Sequence, residues 1–227
     1  MERRKVTHGS AHGQLRAWLL LFLCFFIAGF FPVHAVLGAA APDVYENDDT
    51  PDNATYIPVS EAPQQHNFHD AGDADWIKFY GSKDKEHAIA VGSAGLRCDA
   101  VLELYDSDGT TLLERRNDRL EGSPEQIKWL CPKNGIYYIK VSNYDPQVFG
   151  EETDYELSLY FPTAPEGTGI ITGTVIDNET KEPLDGVTVS APAGGSGKSM
   201  QGYFLILVPA GIHALYAKAD GYLPASI

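Results

Sequence analysis

An all-β chain of antiparallel sandwich type is predicted by three features of this 227-residue sequence. Apolar and polar residues alternate in short segments, which recur at spacings of roughly 10–20 residues. Gly, Pro, Asp and Asn punctuate the gaps between them. Beyond the N-terminal 41 residues, no window of about 12 carries the 3.6-residue stripe of an amphipathic helix.

Residues 1–41 read as a signal peptide and processing region. Arg3, Arg4, Lys5 and Arg16 make a basic start, residues 17–31 form an uncharged apolar run, and Pro32 breaks it. Val33-His34-Ala35 places a small residue where cleavage is expected. The run is shorter than the roughly 20 residues that cross a bilayer, so export is expected, with no stable membrane span after cleavage. About 190 residues then remain for one or two domains. Removing residues 1–35 takes away four basic residues and Glu2, leaving 13 Lys and Arg against 30 Asp and Glu, a charge of −17. That balance excludes a general nucleic-acid binder, whose affinity rests on cations meeting phosphate. Two cysteines remain, Cys98 and Cys131. An even pair in an oxidising compartment points to a disulfide, and two buried thiols are the alternative.

Residues 42–54 are polar and punctuated by Pro, which reads as an ordered loop, and they carry Glu46, Asn47, Asp48 and Asp49. Asp70, Asp73 and Asp75 follow on a Gly-containing loop that runs into a strand, with Ile77 and Phe79 facing one way and Lys78 and Tyr80 the other. Asp and Gly are ordinary turn formers. Three crowded carboxylates also repel unless a cation or N–H groups sit among them. Both stretches offer hard oxygens, the ligand type calcium takes six to eight of. His66 and His69 have metal-like spacing, but no further Cys or His stands near them to complete a zinc site, so they read as polar residues leading out of a strand.

Alternation then marks Ile89 and Val91; Leu102 and Leu104; Ile127 and Trp129; Tyr137, Ile139 and Val141; and Tyr155, Leu157, Leu159 and Phe161. Asp106-Ser107-Asp108-Gly109 lacks the Glu of a complete calcium loop, position 115 being Arg115, and reads as a hairpin turn. Residues 163–168 form a linker. After it, residues 169–175 are strand-like, Val187-Thr188-Val189 is a strand, 194–199 a flexible loop, 203–208 a buried strand and 212–217 another strand. Gly197-Lys198-Ser199 lacks the earlier Gly and the following helix of a phosphate loop. No sequence motif assembles a nucleophile, a base and an orienting group, which points away from an enzyme.

Five blocks in order, Tyr45-Glu46-Asn47-Asp48-Asp49-Thr50, Gly72-Asp73-Ala74-Asp75-Trp76-Ile77-Lys78-Phe79, Leu102-Glu103-Leu104-Tyr105-Asp106, Gly135-Ile136-Tyr137-Tyr138-Ile139-Lys140-Val141 and Tyr155-Glu156-Leu157, resemble the bacterial pre-peptidase C-terminal domain over residues 42–162. The resemblance implies a jelly-roll-like β-sandwich beside exported proteases. Its collagen-binding relatives hold calcium between an acidic linker and the loop before the first long strand. Carried onto this chain, the ligand candidates are Glu46, Asn47 and Asp48 with Asp73 and Asp75, and Asp70 beside them. Residues 169–227 resemble a carboxypeptidase regulatory-like domain, a smaller transthyretin-like sandwich, through Gly173-Thr174-Val175, Pro183-Leu184-Asp185-Gly186-Val187, Val208-Pro209-Ala210-Gly211 and Asp220-Gly221-Tyr222. That family continues past the Gly-Tyr turn with at least one more strand, so the module reads as incomplete, with an open sheet edge. The function these resemblances imply is a calcium-ordered binding, adhesion or spacer protein, secreted, periplasmic or on the cell surface. Its partner would be an extracellular polymer or protein ligand, met by a sheet face on which Tyr138 and Tyr160 are exposed, and the alternative is that these tyrosines are plain surface residues. A non-catalytic accessory part of a secreted peptidase system is the alternative.

Overall fold

The alternating segments pair into two sheets whose apolar faces close on one another. The computed structural model describes residues 40–59, 62–92, 94–117, 121–162 and 167–227. Residues 1–39, most of the stretch expected to be a signal peptide and processing region, and residues 163–166 of the expected linker lie outside them. One sheet has the order β1 (Thr55–Tyr56), β3 (Ala74–Gly81), β8 (Gly135–Asn143), β5 (Ala100–Tyr105) and β6 (Leu112–Arg116). The other runs β2 (Gln64–Asn67), β9 (Asp154–Tyr160), β4 (Glu86–Gly92) and β7 (Glu125–Leu130). All these neighbours are antiparallel except β1 and β3, which pair in parallel with Thr55 opposite Ile77. Among the described residues the helical content is one turn of 3₁₀ helix, Pro51–Asn53, and no helix is long and apolar enough to cross a membrane.

Period two decides which side chains enter the core. Ile77 and Phe79 of β3, Leu102 and Leu104 of β5, Ile139 and Val141 of β8 and Leu157 and Leu159 of β9 are all buried between the sheets. Each contributes about 1.5–3 kcal/mol of apolar transfer free energy. Asp106-Ser107-Asp108-Gly109 forms the β5–β6 turn. Gly109 has φ +66, and the Asp108 carboxylate accepts the Thr110 and Thr111 amides at 2.9 and 2.8 Å.

A second group of strands follows: β10 (Thr168–Thr174), β11 (Thr188–Ser190), β12 (Ser196–Lys198), β13 (Tyr203–Pro209), β14 (Tyr216–Lys218) and β15 (Ala225–Ser226). β10 and β13 form an antiparallel ribbon, and β12, β11, β14 and β15 form a four-stranded sheet. A short strand therefore does follow the Gly221-Tyr222 turn, with Ala225 paired to Ala217. Residues 194–199 are not a flexible loop, because β12 lies tight against β13. A Cβ on Gly195 would fall 2.3 Å from the Leu207 carbonyl oxygen, and one on Gly197 2.8 Å from that of Leu205. Glycine here permits close backbone approach rather than freedom. The strand expected over residues 212–217 shrinks to β14, and Ile212 is fully exposed.

The ribbon is apolar on both faces. Phe204, Ile206 and Val208 bury with Val187 and Val189 in the second core. Leu205 belongs to the first core, with Tyr203, Leu207 and Ile170 packed against it. Tyr203 stacks on Tyr56 with ring centroids 3.7 Å apart, and the Tyr80 hydroxyl donates to the Lys198 carbonyl at 3.3 Å. This double burial explains why residues 203–208 read as a continuous apolar run rather than an alternating one.

The expected disulfide is absent: Cys98 and Cys131 are free, buried thiols. Topology forbids the bridge. Asp99, next to Cys98, bonds to Asn143 and Tyr144 at the end of β8, whereas Cys131 sits beside Gly81, which pairs with Gly135 at its start. A nine-residue strand separates those ends by roughly 25–30 Å, far beyond disulfide reach. Both cysteines are expected to take up a thiol-reactive label in denaturant without reductant, as read by peptide mass spectrometry. Reductant should leave Tm unchanged.

Candidate metal centre

Alternation that buries Ile77 and Phe79 also carries Asp75 inward, so a carboxylate enters the sandwich at its rim, fully buried. Gly72, at φ +85, turns the preceding loop and donates its amide to Pro146 at 2.8 Å, which sets Asp73 immediately before β3. The linker is pinned alongside, since the Trp76 amide donates to the Asp48 carbonyl at 2.9 Å. Linker and loop thus meet, and their side chains form three overlapping triads whose ligand atoms lie within 4.8 Å of one another. These are Glu46, His69 and Asp73; Glu46, Asp48 and Asp75; and Asp43, His66 and Asp75.

Three of the Asp carboxylates share one arrangement. One oxygen is anchored by the protein and the other is buried without a hydrogen bond. Asp75 Oδ2 accepts the Tyr155 hydroxyl at 2.5 Å, Asp48 Oδ2 accepts Thr55 Oγ1 at 3.3 Å, and Asp73 Oδ2 accepts the His69 amide at 2.6 Å. Asp75 Oδ1, Asp48 Oδ1, Asp73 Oδ1 and both oxygens of Glu46 are buried without hydrogen-bond partners. Glu46 Oε1 stands 2.9 Å from His69 Nδ1 as an ion pair, without hydrogen-bond alignment. A buried carboxylate oxygen left unpaired is costly unless a proton or a cation meets it.

The titration behaviour has the same cause. Burial, followed by the charges of Glu46 and Asp43, raises the Asp48 carboxyl to about 7. Burial raises Asp75 well above the carboxylate range, the Tyr155 hydrogen bond opposes this, and Asp73 and Asp48 add to it. Asp73 and Glu46 are raised as well, each mainly by burial. His69 offers the cluster its own countercharge. Burial alone would lower its pKa, but Asp73 and Glu46 outweigh this and raise it, with Nδ1 2.7 Å from Asp73 Oδ2.

Chemically, the set fits a hard divalent cation: five buried carboxylate oxygens without hydrogen bonds converge from two segments, and water would complete the six to eight oxygens calcium takes. Of the residues singled out from sequence, Glu46, Asp48, Asp73 and Asp75 come together. Asn47 is exposed, and the Asp70 side chain, 67% exposed, lies on the far side of His69, 3.7 Å from Nε2. No family model matches the chain, and no curated protein matches it. Among solved structures, a match is found to the pre-peptidase C-terminal domain of a collagenase from Bacillus anthracis. Identity is 21% over 47% of this chain and 93% of that one, with a TM-score of 0.35. A likeness that slight carries nothing about function, and the site stands on its own side chains.

Sequence reasoning missed Asp43, Thr55 and Tyr155 and set His66 and His69 aside. His66 reaches the cluster because β2 pairs with β9, which sets it opposite Tyr155, and His69, two residues beyond β2, is held there by its amide bond to Asp73. The tyrosines proposed for a binding face are not free. Tyr138 and Tyr160 are half-buried, and Gln126 Nε2 donates to the Tyr160 hydroxyl at 3.0 Å.

Proposed function

We propose that this is an exported, non-catalytic binding or spacer protein in which calcium clamps the linker carrying Glu46 and Asp48 onto the loop carrying Asp73 and Asp75. The observation that carries this reading is the convergence of five buried carboxylate oxygens without hydrogen bonds. Their burial favours a structural ion over a catalytic one, because Asp48 and Asp75 are wholly enclosed and turn inward. The acidic balance and the apolar N-terminal run support an extracellular setting, where free calcium is high enough to fill a weak site. In that setting the ion orders the entry of the chain into the first sandwich and leaves its outer surface to a polymer or protein partner.

Thermal unfolding of the full chain in calcium and in chelator tests this. With a Kd of about 10⁻⁴ M, 2 mM calcium adds about 2 kcal/mol. For a folded part of this size the expected rise in Tm is about 4–8 °C. Superimposable curves would remove the clamp.

A further inference from the structure

His66 joins the acidic cluster through Asp43 and Asp75, where His69 joins it through Glu46 and Asp73, and its geometry is different. Its ring is buried between Tyr45 and Tyr155, with centroids 4.7 and 5.4 Å away. The Gln64 amide nitrogen donates to the Tyr56 carbonyl at 3.1 Å, which turns Gln64 Oε1 toward His66 Nε2 at 3.4 Å. An amide oxygen only accepts, so Nε2 carries the proton and Nδ1 presents a lone pair. That lone pair has no hydrogen bond and faces Asp43 Oδ2 at 3.5 Å and Asp75 Oδ1 at 4.0 Å. Asp43 is held in place by the Tyr45 and Asn67 amides, at 2.8 and 3.1 Å.

We propose that a first-row divalent cation of the zinc class binds between His66 Nδ1, Asp43 and Asp75, a second metal position that shares Asp75 with the calcium cluster. Two contrasts carry the assignment. A proton on Nδ1 would draw the carboxylates to hydrogen-bond distance, as at His69, where the corresponding contacts are 2.7 and 2.9 Å. Ligand atoms about 2.0–2.2 Å from a tetrahedral ion stand about 3.3–3.6 Å apart, a spacing that the 3.5 Å from His66 Nδ1 to Asp43 meets and that the 4.0 Å to Asp75 would reach by a small inward shift. The donor set also differs from the all-oxygen calcium triad, because an imidazole nitrogen suits zinc, copper or nickel rather than calcium. Gln64 supplies the outer hydrogen bond that fixes the ligating tautomer. Water completes the coordination. The ligands that seemed missing around His66 come from 23 residues upstream and nine downstream, Asp43 and Asp75.

The test is calorimetric titration of the chelator-stripped full chain with zinc ions alone, for the wild type and for His66→Gln, Asp43→Asn and His69→Gln, each checked for native packing by near-UV circular dichroism. One equivalent of zinc should bind the wild type. His66→Gln and Asp43→Asn should each weaken it at least tenfold, and His69→Gln should not. X-ray absorption of the zinc-loaded wild type should show a nitrogen ligand at about 2.0–2.1 Å. No zinc uptake by the wild type, or uptake undiminished in His66→Gln, overturns the proposal. If His66→Gln loses native packing, Asp43→Asn decides in its place. Calcium is left out of the titration, so failure of the calcium clamp and failure of this site give separate results.

Discussion

Replacing Asp48 with Asn is expected to stabilise the metal-free protein by about 2–4 kcal/mol at pH 8 and to abolish its response to calcium. The sign runs against the usual effect of altering a fully buried polar residue. Asp48 is enclosed, its Oδ1 has no partner, and Glu46 and Asp43 lie close enough to oppose its ionisation. Its folded pKa of about 7 stands above the ordinary 3.8, so the folded state binds more protons than the unfolded state between those values. Without metal, stability therefore falls as pH rises from about 4 to about 7 and stays low above that. Asn removes the charge and retains an oxygen for the Thr55 hydroxyl. Urea unfolding in chelator and in calcium reads both halves of the expectation. A variant less stable than wild type in chelator would show that the carboxylate is not under repulsion.

His87 is expected to shift the acid response of the first sandwich in the opposite direction. The ring is fully buried among Phe79, Trp129 and Phe161, and burial lowers its pKa to about 4 against a weaker opposing bond to the Lys85 carbonyl. Neutral imidazole satisfies both nitrogens, since the Ser82 amide donates to Nε2 at 3.3 Å and Nδ1 lies 3.1 Å from the Lys85 oxygen. The unfolded chain binds the extra proton from about pH 6.5 downward, so the contribution is complete above 6.5 and is lost as pH falls to about 4. Over that window the loss is about 3 kcal/mol. Unfolding free energies of wild type and His87→Gln, measured between pH 4 and 7, should differ in slope accordingly. Their difference isolates His87 from the acidic cluster, which lies at the other end of β3. Parallel profiles would refute it.

Long strands were legible because a buried face imposes period two: Tyr137, Ile139 and Val141 announce β8, and Leu157 and Leu159 announce β9. The strand β2 was not, since Gln64-Gln65-His66-Asn67 is wholly polar and owes its pairing to Tyr155 and Leu157 of β9. The acidic half of the cluster could be read from hard-oxygen residues in two stretches and from a family likeness. Supporting residues such as Tyr155 could not, because the Asp75–Tyr155 bond joins positions 80 residues apart and no local pattern records it. Adjacency also misled. Asn47 sits between Glu46 and Asp48 in sequence, yet its side chain is exposed while both neighbours turn inward. Composition misled in the Gly-rich segment around Gly195 and Gly197, where small size serves contact with β13 rather than mobility.

A strand with no idle face has a cost for descent as well as for stability. In β13, Tyr203, Leu205 and Leu207 answer to one set of neighbours and Phe204, Ile206 and Val208 to another. The C-terminal piece therefore cannot be shuffled onto a new host as a ready-made cassette. Any transplant would have to recut alternate positions of this one strand to fit the new host and leave the intervening ones untouched.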